Sequence, residues 1–329
     1  MKDWQDYIEP RVSTVQDSDF ICDASQLGLI LVTGDDAGDF LQNQLSNDIR
    51  EIDENHFQLS AYSTPKGRML AIFRVIRIAN GYLLVTPRSL LESLIERLQR
   101  YVVGARVSLA DASDHFCRFG IQTAQEKIVG PEKMPAATGE VYQSDSLIVL
   151  NPGPVDGQSR FLLLGLSLEE TRSLWEEFSA TLKPATFDAW RLSEIRAGIP
   201  TIYPQTSEEF VAQMSNLNLL GGVNFRKGCY PGQEIVARMQ YLGKLKRRMF
   251  LARLVTDTCP RPGDDLVTAG GENADGSGKV VDAVIDPSGH CLCLYIARID
   301  RAKENNLRLL GQPGVELHPL DLPYPVVSD

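Results

Sequence analysis

At 329 residues, with 43% hydrophobic and 23% charged content, the chain exceeds one ordinary domain and has a globular composition, so two or three domains are expected. No run approaches the roughly 18 apolar residues of a membrane-spanning helix, and the opening MKDWQDYIEPRVSTVQDSDF lacks an apolar core and a cleavage site, which points to the cytoplasm. A net charge of −10 argues against a surface built wholly for nucleic acid, although residues 224–250 run the other way, with Arg226, Lys227, Arg238, Lys244, Lys246, Arg247 and Arg248 against Glu234 alone.

In chain order, GLILVTG (28–34) reads as a buried strand, and DDAGDFLQNQLSND (35–48) as a helix turning Ala37, Phe40, Leu41 and Leu45 inward. HFQLSAYS (56–63) and RMLAIFRVIRI (68–78) are strands around the turn TPKG, and YLLVT (82–86) follows an Asn80-Gly81 turn. Pro87 opens a helix whose apolar face runs from Leu90 to Val102, and 105–110 returns as a strand. Further strands are expected near 116–121, 146–150 and 160–164. A helix follows from Ser167 to about Leu182, and a second, FDAWRLSEIRAG, ends at Gly198 and Pro200. Beyond Leu242 the pattern changes to short strands separated by Pro/Gly-rich turns, as in a small β-barrel or sandwich. This order is α+β, divided into a region 1–243 with an undefined internal boundary and a β domain 244–329.

Cofactor motifs are sparse. In NADGSGKV, Asn273 stands where a P-loop has its first glycine and Val280 where it has Ser or Thr, and Val281 spoils a dinucleotide-binding glycine pattern. The six cysteines (Cys22, Cys117, Cys229, Cys259, Cys291, Cys293) form no C-x-x-C, and without a secretory signal they are expected as reduced thiols. Neither they nor the four dispersed histidines give a metal-ligand spacing.

NFRKGCYPGQEIVAR (224–238) is the most unusual stretch. Gly228 and Gly232 flank Cys-Tyr-Pro, so Cys229 is displayed on a constrained turn. Arg226, Lys227 and Arg238 would stabilise a thiolate there and Glu234 would oppose it, while the plain structural alternative is a small buried thiol. No histidine lies nearby to act as a base, so cysteine-hydrolase chemistry is not expected.

Lys227, Gly228, Cys229, Tyr230, Gly232, Gln233 and Glu234, followed by Ala237-Arg238 and preceded by Gln213 and Asn216, resemble the signature of the YgfZ family, folate-binding relatives of the glycine-cleavage T-protein. TGDDAGDFLQNQLSND, STPKGRML, AWRLSEIRAGIPTI and LPYP extend the resemblance over nearly the whole chain. It implies three lobes: two interlocked ferredoxin-like α+β lobes and a C-terminal β-barrel, around a cavity for tetrahydrofolate or a one-carbon derivative. It also implies an accessory role in assembly or repair of iron–sulfur enzymes, including radical enzymes that thiolate tRNA, with those enzymes or assembly factors as transient partners and direct nucleic-acid binding not expected. Cys229 would be the working thiol, and Trp190 matches an aromatic lining the folate site, where indole can stack on a pteridine. Leu27 stands where the family has a second aromatic, and Ala212 where a proline commonly precedes Gln213. The alternative is the T-protein's own aminomethyl transfer. It is not expected, because the hairpin that should supply an aspartate reads Lys66-Gly67-Arg68-Met69-Leu70-Ala71.

Overall fold

Apolar alternation, glycine turns and one β-rich tail produce two compact units in the computed structural model, which describes residues 2–8, 19–125, 134–241, 243, 245–256, 258–270 and 276–326. The first unit comprises 1–42, 48–59 and 73–190; the second comprises 43–47, 60–72 and 191–329. Lys244 and residues 271–275 of the GENADGSG loop lie outside the described residues.

The chain begins with α1 (Lys2–Ile8), β1 (Phe20–Asp23), β2 (Leu27–Thr33), α2 (Ala37–Gln44), β3 (Phe57–Ser63), β4 (Met69–Ile78) and β5 (Gly81–Pro87). It continues through α3 (Leu91–Gln99), β6 (Ser108–Asp111), β7 (Cys117–Thr123), β8 (Val141–Gln143), β9 (Leu147–Leu150), β10 (Ser159–Gly165), α4 (Leu168–Ser179), β11 (Lys183–Ala185) and α5 (Phe187–Arg196). One sheet runs β11-β1-β7-β10-β9-β8 and a second β3-β4-β5-β2-β6, with β3 and β4 passing along the chain from one unit into the other. The tight turn before β5 needs Gly81, because a β-carbon there would lie 2.1 Å from the Val32 carbonyl oxygen.

Ser167 caps α4 by accepting from the Glu170 amide. The buried face of α4 carries Trp175 and Phe178 into a cluster where the Trp4 and Trp175 rings meet edge to face at 5.7 Å. The helix stops at Ser179, short of the expected Leu182, and α3 stops at Gln99 with Tyr101 exposed, so the apolar face beginning at Leu90 does not extend to Val102. β1 has no counterpart in the sequence reading, since its four residues, FICD, are too short to show a period.

In the second unit come α6 (Gln233–Tyr241), β12 (Arg247–Leu254), β13 (Asp265–Thr268), β14 (Gly278–Ile285), β15 (Cys291–Arg298), α7 (Ile299–Lys303), β16 (Leu307–Leu309) and β17 (Gln312–Leu320). The β-strands close into a barrel in the order β12-β15-β14-β13-β16-β17. Closure satisfies every sheet edge, and it explains why β15, CLCLYIAR, is buried along almost its whole length.

One expectation is corrected here. Cys259 and Cys291 form a disulfide across a sequence separation of 32 residues. Barrel closure carries the loop before β13 to the start of β15, a proximity that cysteine spacing does not reveal. Cys22, Cys117, Cys229 and Cys293 are free. Among the described residues, no helix is long and apolar enough to cross a membrane, and no three His, Cys, Asp or Glu side chains cluster as metal ligands.

Candidate functional site

The glycine-rich motif takes its shape from two distant pieces of chain within the second unit. The first is the tip between β3 and β4, where the Thr64 amide donates to the Arg68 carbonyl and the Gly67 amide to the Thr64 carbonyl, each at 2.8 Å. Gly67 adopts φ +72°, and Gly232 of the motif adopts φ +84° directly against it. A β-carbon on Gly232 would lie 2.5 Å from Gly67 Cα and 2.7 Å from the Thr64 carbonyl oxygen, so two backbones touch there with no room for a side chain.

The second piece is 43–47. Ser46 Oγ donates to the Gly222 carbonyl at 2.7 Å, Asn47 Nδ2 donates to the Gly221 carbonyl at 2.8 Å, and the Asn224 amide donates to the Ser46 carbonyl at 3.0 Å. Asn224 then organises the entry to the motif, its Oδ1 accepting from the amides of Arg226 and Lys227. The Lys227 side chain is buried. Its ammonium donates to the Leu45 carbonyl at 2.5 Å and the Asn47 carbonyl at 2.9 Å, and sits 5.2 Å from the centre of the Tyr230 ring. Tyr230 is buried too, and loss of solvent pushes its phenol up to about 12.

With Lys227 and Tyr230 turned inward, Gly228 and Cys229 face outward. Of the free cysteines, Cys229 alone is exposed. The others are sealed from chemistry by burial, which raises Cys117 to about 11 and Cys22 and Cys293 higher still. The motif then runs into α6 with Gln233 and Glu234 in its first turn and Arg238 in its last. The Gln233 amide donates to the Tyr230 carbonyl at 3.1 Å, and Gln213 Nε2 holds the helix by donating to the Val236 carbonyl at 2.6 Å. Nearby, Asn216 takes φ +60° and donates to the Met249 carbonyl at 3.1 Å; Tyr324 of LPYP donates to the Gly198 carbonyl at 2.7 Å. Gly198 is required, because a β-carbon there would meet the Tyr324 ring at 2.7 Å.

Similarity to known proteins follows the same outline. Residues 1–128 match the GCVT N-terminal domain family. The tRNA-modifying protein YgfZ of Hamiltonella defensa is 31% identical over 293 residues, covering 88% of this chain and 86% of the relative. The protein of the same name from Yersinia enterocolitica is 30% identical, covering 92% and 91%. The chain belongs to the YgfZ family. The crystal structure of glycine cleavage system aminomethyltransferase T from Bartonella henselae has the same fold, with a TM-score of 0.72 at 15% identity over 92% of this chain and 86% of that one.

Within this YgfZ-family chain, Trp190 and Leu27 lie in the first unit, in one core cluster with Cys22, Leu150 and Leu162. Trp190 is 1% exposed and its ring rests on bare backbone, since a β-carbon on Gly120 would come within 2.4 Å of the indole. The Arg160 guanidinium lies 5.9 Å from the ring centre. A pteridine stacking on Trp190 would have to displace packing that the chain itself supplies, so these two residues do not form an open stacking surface, and no chemical step is assigned through them. The hairpin tip from Lys66 to Ala71 carries no carboxylate.

Leu45 and Gly67 are legible in the sequence as an inward-facing residue and a turn glycine, but nothing there links them, or Ser46, Asn47 and Thr64, to the motif that they hold. Most act through backbone atoms, which leave no side-chain signature. A Lys227→Met variant will lose about 2–4 kcal/mol, because two buried carbonyl oxygens lose charged donors. Urea unfolding followed by far-UV circular dichroism will read this as a lower midpoint, and Lys227→Arg will recover only part of it, since a forked guanidinium does not match a pocket built for a point charge. A wild-type midpoint for Lys227→Met would rule out the ammonium as the anchor of the turn.

Proposed function

We propose that this chain is a folate-linked accessory protein that supports assembly or repair of iron–sulfur enzymes in the cytoplasm, including those that thiolate tRNA, with Cys229 as its working thiol. The observation that carries this reading is the selective exposure of Cys229, alone among the free cysteines, on a turn locked from behind by Lys227, Tyr230 and Gly232. The relatives' name, tRNA-modifying protein, supports the link to tRNA. The negative overall charge favours an indirect link, through enzymes or assembly factors met transiently, over direct RNA contact.

A thiol in this position can act as a nucleophile, form a disulfide with a partner or donate to a partner's metal centre. The chain's own contribution is to hold the sulfur at the surface on a backbone with little freedom. Tetrahydrofolate or a one-carbon derivative would supply a one-carbon carrier when bound; the shared fold supports this, and the close packing of Trp190 and Leu27 opposes stacking on those two residues. Aminomethyl transfer of the T-protein type is the second reading, favoured by the fold likeness and opposed by the hairpin without a carboxylate.

Cells carrying Cys229→Ser as their only copy will lose thiolated tRNA nucleosides and iron–sulfur enzyme activity down to deletion levels, read by mass spectrometry of digested tRNA. Cys22→Ala, a change in a buried free thiol, serves as the control. Full activity in Cys229→Ser would refute the role of the thiol. Release of ammonia from an aminomethyl donor by purified protein with tetrahydrofolate would establish the second reading.

A further inference from the structure

Around the motif, the structure leaves cations unpaired on a protein of net charge −10. Elsewhere some arginines meet carboxylates, as in Arg50 with Asp39, Arg88 with Asp114, Arg106 with Asp35, and Arg298 with Asp300, while Arg77, Arg100, Arg253 and Arg261 are exposed outside any ion pair. Among the described residues, Arg226, Arg238 and Lys246 are exposed and none of them takes part in an ion pair. Glu234, one helical turn before Arg238, is the acid nearest in sequence, and it too stands outside any ion pair.

An aromatic pair brings together the two chain segments that carry Arg226 and Arg238. The Phe225 and Tyr241 rings meet edge to face at 6.2 Å, bringing the entry of the motif beside the end of α6. Arg226 follows Phe225 directly, and Arg238 lies three residues before Tyr241 on the same helix face. Tyr241 is 67% exposed despite its partner. Cys229 opens from the same turn, three residues beyond Arg226.

We infer that Phe225, Arg226, Arg238 and Tyr241 form a docking surface for a protein partner that presents carboxylates around an apolar side chain, and that docking there brings the partner over Cys229. The inference rests on Cys229 being the working thiol. Charge complementarity selects the partner: a basic patch on an acidic body attracts an acidic surface and steers its approach. Exposed tyrosine and arginine are also the side chains that dominate protein–protein binding energy. A nucleic acid fits less well, because its affinity comes from neutralising many phosphates and this patch offers few cations against a repelling whole.

The test uses peptides of the form Glu-Glu-Phe-Glu-Glu-Cys whose cysteine carries thionitrobenzoate as a mixed disulfide. The Cys229 thiolate attacks the peptide sulfur, a new disulfide forms, and the thionitrobenzoate anion leaves and is read by its absorbance. A companion peptide has Gln in place of Glu. The Glu peptide will react about ten-fold faster than the Gln peptide at low salt, as electrostatic steering predicts. That ratio will fall toward unity in 1 M salt and in R226E/R238E, and Tyr241→Ala will slow both peptides. Taking the ratio cancels any change in the intrinsic reactivity of the thiol, and release of one thionitrobenzoate per chain, from the exposed thiol alone, reports that the variant remains folded. Equal rates for the two peptides in the wild type, or a preference that survives R226E/R238E, would overturn the inference. Stronger protection of Cys229 by an oligouridylate than by a thiol-free Glu peptide of equal charge would overturn it in favour of nucleic acid. Because exchange is measured on purified protein, the surface can fail this test while Cys229 still proves essential in cells.

Discussion

Gly232→Ala will be among the most destabilising single-methyl changes in the chain, at about 2–5 kcal/mol. The left-handed backbone at φ +84° costs about 1–2 kcal/mol for a residue with a β-carbon. Overpacking adds about 1–3 kcal/mol, and here the neighbours are Gly67 Cα, Gly67 N and the Thr64 carbonyl, all backbone atoms that cannot swing aside. Two other glycines set the scale. Gly67→Ala meets the Ile235 side chain at 3.1 Å and pays the left-handed penalty, so it will cost about 1–2 kcal/mol. Gly228 has open space around it and no positive φ, so Gly228→Ala will stay within about 0.5 kcal/mol. Urea midpoints for the three variants should fall in that order, and limited proteolysis should cut first within the loosened motif of Gly232→Ala. Equal effects at Gly228 and Gly232 would contradict the close approach of the two turns.

The second large effect concerns the barrel. Reducing Cys259–Cys291 removes a link closing a 32-residue separation, which chain-entropy reasoning values at about 3–4 kcal/mol. Urea unfolding with and without a phosphine reductant should show the midpoint of the barrel-containing unit falling, and Cys259→Ala should reproduce that fall and be insensitive to reductant. Alkylation in denaturant, without reductant, should modify the four free cysteines Cys22, Cys117, Cys229 and Cys293, leaving Cys259 and Cys291 linked. Modification of all six, or a midpoint indifferent to reductant, would show that the bond does not form in solution.

Long-period features were legible in the sequence. The strands 57–63 and 69–78 around TPKG, the helix carrying Trp175 and Phe178, and the turn-rich β tail all emerge from alternation, helical spacing and glycine placement. The motif also stood out, because Lys-Gly-Cys-Tyr-Pro-Gly-Gln-Glu combines residues that few local structures need together. What could not be read there depends on distant chain. Nothing near Lys227 announces that its ammonium will be buried on the carbonyls of Leu45 and Asn47, more than 170 residues earlier, because backbone acceptors are the same at every position. Gly228 and Gly232 look alike in sequence, yet only Gly232 faces another backbone.

The sequence by itself therefore determined the α+β order, the closing β domain, the acidic body with its basic segment, and the position of a cysteine on a glycine turn, all of which depend on neighbouring residues and their spacing. Tertiary structure decided which cysteine is open, which two are joined, that Trp190 is walled in by Gly120 and its cluster, and that the Phe225 and Tyr241 rings meet. The reason is physical: burial, covalent pairing and charge neighbourhood are properties of space between segments, and chain closure sets that space only after every local preference has been satisfied at once.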